Sequence, residues 1–453
     1  MIEQQLDVKL GRSLLNGQRA TVFEIASQVD AVQAGTDGHE LSGVDLMGAI
    51  RKDLGPLLAE PLEHLVGNYK TIMPENSVVF LTGATGYLGS EILRHLLNDS
   101  TVHTVITHVR ASTPESGLQR LKQPAEIYGW WDDAFTSKIE VWVGDLSHAQ
   151  LGLNDEQWDR LVGRADEGNV DSIIHNGAVV NWNAGYTSLH AANVQSVVDL
   201  LGAAMVSPRN PKFVFVSGGV MMDTQSDTAA IATELSGLTG YIQTKFVAES
   251  IINEVAHRLP EGQNRISTIK PGRIIGTAGE GIANLDDYLW RVVATSIALG
   301  VHPEDAHDSW MPSQGVEMIS SIITSNLHCV DGITAFQSLN TGLPVSTFWA
   351  LVSSQISNPL RSTSWEDWTQ QAMQLAESAG GEKHPIYAVQ NFLGGIGVVG
   401  QPELDQERND SEHLEHAVKL CTQYLVKTGF IEVCKGHDVK MQNIIQRSTG
   451  VKF

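Results

Sequence analysis

Cysteine is scarce in this chain. Three thiols in 453 residues, Cys329, Cys421 and Cys434, cannot build a disulfide framework, and their spacing fits no metal site. No metal is expected, and a reducing, cytoplasmic setting is. Basic residues are also few: 30 Lys and Arg stand against 52 Asp and Glu, a net charge of −22. Most of such a surface repels polyphosphate, so no nucleic acid partner is expected. A small anionic ligand is not excluded, because a few local cations and one helix N-terminus suffice to hold it. No apolar run reaches the roughly 18 to 20 residues of a membrane span. Met1-Ile2-Glu3-Gln4-Gln5 has neither the basic head nor the apolar stretch of a secretory signal. No membrane association is expected. What is present, 42% apolar and 18% charged residues, suits a folded chain of more than one domain.

Residues 1–72 read as a helical segment or linker, with apolar residues at helical spacing in Ala20–Val32 and Leu41–Leu54. Pro74 then breaks the pattern. Short β-branched runs follow at Ser77–Thr82, Val102–Val109, Ile139–Val143, Ser172–His175, Phe213–Ser217 and Ile266–Lys270. Amphipathic helical stretches separate them, which predicts an α/β fold with a doubly wound parallel sheet over 73–280. After Gly276 helical patterns dominate (Asp286–Leu299, Gly315–Leu327, Glu412–Lys427), so 281–453 is expected to form a smaller, mainly helical substrate domain.

Thr82-Gly83-Ala84-Thr85-Gly86-Tyr87-Leu88-Gly89 follows the first strand and opens a helix, Leu88–Leu97. The spacing is that of a dinucleotide-binding turn. Gly83 permits the tight turn, Gly86 lets backbone approach pyrophosphate, and Gly89 lets helix and strand pack closely. Helix N–H groups would meet the phosphates. A glycine-rich turn that binds nothing is the plainer alternative, which the flanking strand and helix disfavour. The second strand ends in Val109-Arg110-Ala111, with no acid to read a ribose 2′-hydroxyl. A cation there, with Arg120 as a second contact, favours a 2′-phosphate and hence NADPH; a solvated strand-end arginine is the alternative. Asp145 and Leu146 after the third strand, and Asn176, Gly177 and Ala178 after the fourth, line the expected cofactor edge or simply make turns.

Tyr241 and Lys245 stand four apart on a predicted helix, one face toward the same cleft. An ammonium beside a phenol lowers the phenol's pKa, which suits Tyr241 as a general acid to a substrate carbonyl as hydride arrives. Lys245 would also hold the nicotinamide ribose. Alone, such a pair occurs by chance in many helices. Ser217 ends the fifth strand, where its hydroxyl would steady an oxyanion or serve as a turn residue. Pro271 and Gly272, after the sixth strand, would wall the nicotinamide pocket or end the strand.

With these residues assembled, the chain resembles the extended short-chain dehydrogenases/reductases. More narrowly, it resembles the terminal thioester reductase domains of nonribosomal peptide and polyketide synthetases. The similar stretches are Thr82–Gly89, Val109-Arg110-Ala111, Gly144-Asp145-Leu146, His175–Ala178 with Asn181-Trp182, Asn193-Val194, Gly240–Glu249, Pro271–Ile274, and Asp286–Leu289 with Trp310-Met311-Pro312. The resemblance implies a Rossmann fold, NADPH, and an acyl or peptidyl carrier protein whose phosphopantetheine arm carries the substrate thioester. An aldehyde would result, or an alcohol after a second reduction. Two departures stand out. The family commonly has two adjacent hydroxyl residues after the fifth strand, the second often catalytic, and that second place is Gly218 here. Asp37–Leu41 faintly resembles a carrier's attachment loop, with Glu40 where the pantetheinylated serine would be, so a degenerate carrier remnant and an ordinary helical linker both stay open. Other outcomes of the same motifs are a reductase or epimerase acting on a free small molecule, a non-redox Dieckmann-type release domain, and a regulatory dinucleotide-binding scaffold.

Overall fold

The computed structural model describes residues 44–58, 74–182, 184–218, 227–259, 264–306, 309–329, 336–337, 341–396, 398–399 and 411–436. Six strands, β1 (Ser77–Thr82), β2 (Val102–Val109), β3 (Ile139–Val143), β4 (Ser172–His175), β5 (Lys212–Val216) and β6 (Ile266–Lys270), lie parallel in the order 6-5-4-1-2-3. β1 and β5 are buried along their whole length, which is why they read as continuous apolar runs and not as alternating ones. The strand order reverses between β1 and β4, where Thr82 lies in register with His175. In a doubly wound sheet that point opens a crevice above the carboxyl ends.

The first helices in chain order are α1 (Leu46–Leu54), α2 (Tyr87–Asn98), α3 (Pro114–Ile127), α4 (Asp155–Leu161), α5 (Tyr186–Val206), α6 (Thr228–Leu235) and α7 (Gly240–Arg258). By length and hydropathy α5 would qualify to cross a membrane, contrary to the expectation that no stretch is long and apolar enough. Val194, Val197, Leu200 and Leu201 of α5 instead enter one core with Phe80, Ile173 and Phe213 of the sheet.

α1 belongs to that core too. Leu46, Ile50 and Leu54 are buried in it, Asp45 caps the helix at Gly48 N (2.7 Å), and Asp53 meets His190 Nε2 at 2.7 Å. Residues 44–58 therefore continue the sheet domain across the boundary placed at 72. The Asp37–Leu41 segment lies outside the described residues.

A second departure follows the sheet. After β7 (Arg273–Ile274), α8 (Tyr288–Leu299), β8 (Val301–Pro303) and β9 (Ser309–Gln314), the chain returns. α9 (Val316–Ser325) buries Ile319 and Ile323 against Val79, Leu81 and Ile92, and β10 (Phe336–Gln337) pairs in parallel with β6 as a seventh strand. Residues 316–327 and 336–337 thus belong with the sheet, not with a domain beginning at 281. β11 (Gly342–Pro344), α10 (Val345–Ser354), β12 (Arg361–Thr363), α11 (Trp365–Ser378), β13 (Val398–Val399), α12 (Ser411–Lys427) and α13 (Phe430–Cys434) complete the C-terminal lobe. Its core gathers Trp290, Phe348 and Trp368. Helices dominate as expected, but β7, β11 and β13 also pair with β9, and β12 with β8. These strands are two to six residues long and include Pro303, Pro312 and Pro344, too short and too broken to show a period.

Candidate active site

The glycine turn has the shape its spacing predicts. Gly83 takes φ 73°, and a Cβ there would lie 2.7 Å from Gly177 backbone. A Cβ on Gly89 would lie 1.9 Å from Gly83 O, so any side chain would push α2 off the turn. At Gly86 the nearest atom to an added Cβ is Gly83 O at 3.4 Å, and the residue is exposed. That open face, at the start of α2, is where a pyrophosphate can reach backbone N–H groups. Thr85 and Leu88 flank it, each half-buried. Asn176 Nδ2 donates to Gly83 O (3.3 Å), and Thr82 Oγ1 accepts from Gly177 N (2.9 Å), so the loops after β1 and β4 are tied together. Ala178 sits beside them, half-buried. Tyr87, expected on the cofactor, turns its hydroxyl to the C-terminal lobe and donates to Ile282 O at 2.6 Å.

Arg110 ends β2 in solvent, and Arg120 reaches back from α3 to donate to Arg110 O. Burial and the Arg110 charge both lower the Arg120 pKa. Two cations held together at the end of β2 suit a phosphate monoester. Asp145 lies near Arg110, but its Oδ1 already accepts from Ser147 N (2.9 Å) and Oγ (2.7 Å), a closed turn. Leu146 packs near Gly177.

Tyr241 and Lys245 stand on α7, past the carboxyl end of β5. Trp182 meets the Tyr241 ring edge-on, centroids 5.0 Å apart, and a Cβ on Gly218 would lie 3.2 Å from the phenol oxygen. Lys245 Nζ donates to Val216 O (2.9 Å) and lies 4.7 Å from the Phe215 ring. Burial brings the Lys245 pKa down to about 8, with Glu249 opposing. The expected depression of the Tyr241 pKa is not found: burial, with the Asp287 carboxylate adding to it, pushes the phenol up to about 12. Desolvation outweighs a lysine turned toward a carbonyl. Pro271 is buried, and Gly272, at φ 65°, is exposed beside it at the end of β6.

Ser217 is 3% exposed, and its Oγ donates to Glu249 Oε2 at 3.0 Å. Lys270 Nζ pairs with Glu249 Oε1 at 2.5 Å, both side chains 5% exposed. Sequence reasoning gave Glu249 and Lys270 no part in the site, although Glu249 continues the Tyr241–Lys245 face by one more turn. It also gave none to Asn193. In α5 a π turn at Ala191–Gln195 presents Asn193, which accepts from Val179 N (2.7 Å) and donates to Val179 O (3.0 Å) and Thr244 Oγ1 (3.2 Å). A π turn inside an α-helix is rare and gathers at functional sites. Among the described residues no His, Cys, Asp and Glu cluster could hold a metal ion.

The NAD-binding family described as male sterility protein matches residues 81–323, more than half of the chain. The chain belongs to that family. Fold and family together make it a nicotinamide-nucleotide oxidoreductase of the reductase-domain type. The male sterility protein domain has relatives among fungal synthetases. It is 32% identical over 461 residues to N-benzoylphenylalaninol synthetase apmA of Penicillium brevicompactum, covering 99% of this chain and 19% of that protein. It is 36% identical over 361 residues to nonribosomal peptide synthetase inpA of Emericella nidulans, covering 78% and 24%. The chain thus spans less than a quarter of the length of either. Among solved structures, the PhqB reductase domain from Penicillium fellutanum superposes with a TM-score of 0.68 at 29% identity, covering 84% of this chain and 98% of that one. The terminal R domain of the myxalamid pathway, at 22% identity and a TM-score of 0.66, covers 86% and 100% and shows the same fold.

Proposed function

We propose that this chain reductively releases an acyl or peptidyl thioester from the phosphopantetheine arm of a carrier protein, with NADPH as donor. The observation that carries this reading is the meeting, along one sheet edge, of the open glycine turn with the half-buried Tyr241 and the buried Lys245. The adjacent Arg110 and Arg120 favour NADPH over NADH by offering two cations to a 2′-phosphate. The relatives support the substrate class: they are peptide synthetases, and one is named for a product that is an amino alcohol.

When bound, the dihydronicotinamide supplies a hydride to the thioester carbonyl carbon. Negative charge then grows on the carbonyl oxygen, and Tyr241, neutral at working pH, donates its proton there. Lys245, buried and cationic below about pH 8, donates to Val216 O and so holds the end of β5 beside the phenol. The resulting hemithioacetal breaks its C–S bond, leaving an aldehyde and the pantetheine thiol. Taking the aldehyde on to the alcohol would consume a second NADPH and a second proton. Gly218, which has no side chain, and the edge-on Trp182 flank the phenol where the carbonyl would approach.

Single-turnover mixing of acyl-pantetheine thioesters with NADPH, followed by mass spectrometry, tests this. Loss of NADPH absorbance with aldehyde or alcohol formation is expected, and Tyr241→Phe should cut the rate ~10²- to 10⁴-fold with NADPH affinity intact. Consumption of thioester without NADPH loss would point to non-redox release. Turnover of free carbonyl compounds only, with thioesters inert, would overturn the reading.

A further inference from the structure

We propose that Glu249 is a positioning residue for the reduction: its carboxylate, buried between Ser217 and Lys270, holds the end of β5 in place and keeps the Ser217 proton from the substrate. The proposal rests on the reductive reading of the Tyr241–Lys245 pair. Glu249 lies four residues after Lys245 and eight after Tyr241, on one face of α7. Its two oxygens have separate partners, Lys270 Nζ at 2.5 Å and Ser217 Oγ at 3.0 Å. A carboxylate paired with an ammonium only accepts, and a hydroxyl has one proton to give. With Glu249 in place, Ser217 has no proton left for an oxyanion, and it is only 3% exposed.

The same stretch is held from two more sides. Lys245 Nζ donates to Val216 O (2.9 Å), and Ser217 N donates to Ile269 O (2.8 Å). The next residue, Gly218, abuts the Tyr241 hydroxyl. Fixing residues 216–217 therefore fixes one wall of the space beside the phenol. Glu249 also acts on Lys245. The titratable groups around that ammonium are Glu249, one turn on along α7, His175 from β4, and Lys270 from β6 behind Glu249, with Tyr241 one turn back on α7. His175 is held down to about 3 by burial and stays neutral, and Tyr241 is neutral at working pH. Glu249 is thus the negative charge that opposes burial and keeps Lys245 protonated.

The test compares Glu249→Gln, Glu249→Asp, Ser217→Ala, Lys270→Met and the Glu249→Gln/Lys270→Met double variant. Thermal unfolding of the cofactor-free proteins reads the pin without turnover. Lys270→Met strands a buried carboxylate, so it should lower Tm more than the double variant does. The pH dependence of kcat is then followed with an acyl-pantetheine thioester and, in parallel, with a free aldehyde. In Glu249→Gln the alkaline limb should move down by about one pH unit or more while KM changes little. Glu249→Asp, which keeps the charge, should leave the limb near its wild-type place. Ser217→Ala should lose less than about tenfold, against the ~10²- to 10³-fold expected on removing an oxyanion donor. Additive thermal effects, an unmoved limb, or a Ser217→Ala loss of the larger size would each overturn the proposal. If thioesters are inert and the aldehyde is reduced, the release reading fails while the aldehyde profiles still decide the role of Glu249. If neither substrate turns over, the thermal comparison decides it.

Discussion

Single side chains carry most of what can be tested directly. Arg110 and Arg120 sit together with like charge, and Arg120 is the less willing cation for it. Each charge-assisted contact to a phosphate is worth about 1.5–3 kcal/mol. Arg110→Ala and Arg120→Ala should therefore each weaken NADPH binding roughly 10- to 100-fold and leave NADH binding nearly unchanged, as isothermal titration of both nucleotides would show. His175 makes a different prediction. It bonds Thr82 Oγ1 through Nδ1 (2.8 Å), and burial holds its pKa down to about 3 against an ordinary 6.5. The unfolded chain binds the proton first, so stability contributed by neutral His175 is present above about pH 6.5 and is lost as pH falls toward 3. His175→Gln should flatten that part of the Tm-against-pH curve relative to wild type. Tyr241 shows where sequence fails at this level. The Lys245 spacing was legible, but the phenol's pKa depends on burial and on Asp287, which arrives from the start of α8, and neither is written near Tyr241.

Helices and strands were legible where one local rule decides them. β1 to β4 and β6 match their expected bounds, because buried parallel strands are bounded apolar runs, and β5 differs by one residue at each end. The glycine turn was legible because Gly83 needs a positive φ and Gly89 answers a clash with Gly83 O in the same turn, although the Gly177 backbone against Gly83 comes from far along the chain. The Ser217–Glu249–Lys270 contact was not, since three distant residues meet only once β5, α7 and β6 are side by side. α1 was legible as a helix but not as part of the sheet's core. Ile50, 7% exposed, shares one core there with Phe246 and Val197. Ile50→Ala should cost about 2–5 kcal/mol, read as a lower midpoint in denaturant unfolding of the sheet domain.

Over the molecule as a whole, the division into a sheet domain and a following lobe needs revision. Helical period identified 315–327 as a helix, yet nothing in an amphipathic stripe says which surface it covers. Here Ile319, Ile323 and Leu327 close one side of the sheet core. A chain cut after residue 280 should therefore expose that side and bind a hydrophobic dye, whereas the intact protein should not.

The hydroxyl of Tyr87 has a consequence of its own. It sits on the first turn of α2 but bonds a carbonyl at the threshold of the lobe. Any displacement of α2 would pull on residue 282 as well, so a shift in one compartment is felt in the other through this phenolic tether.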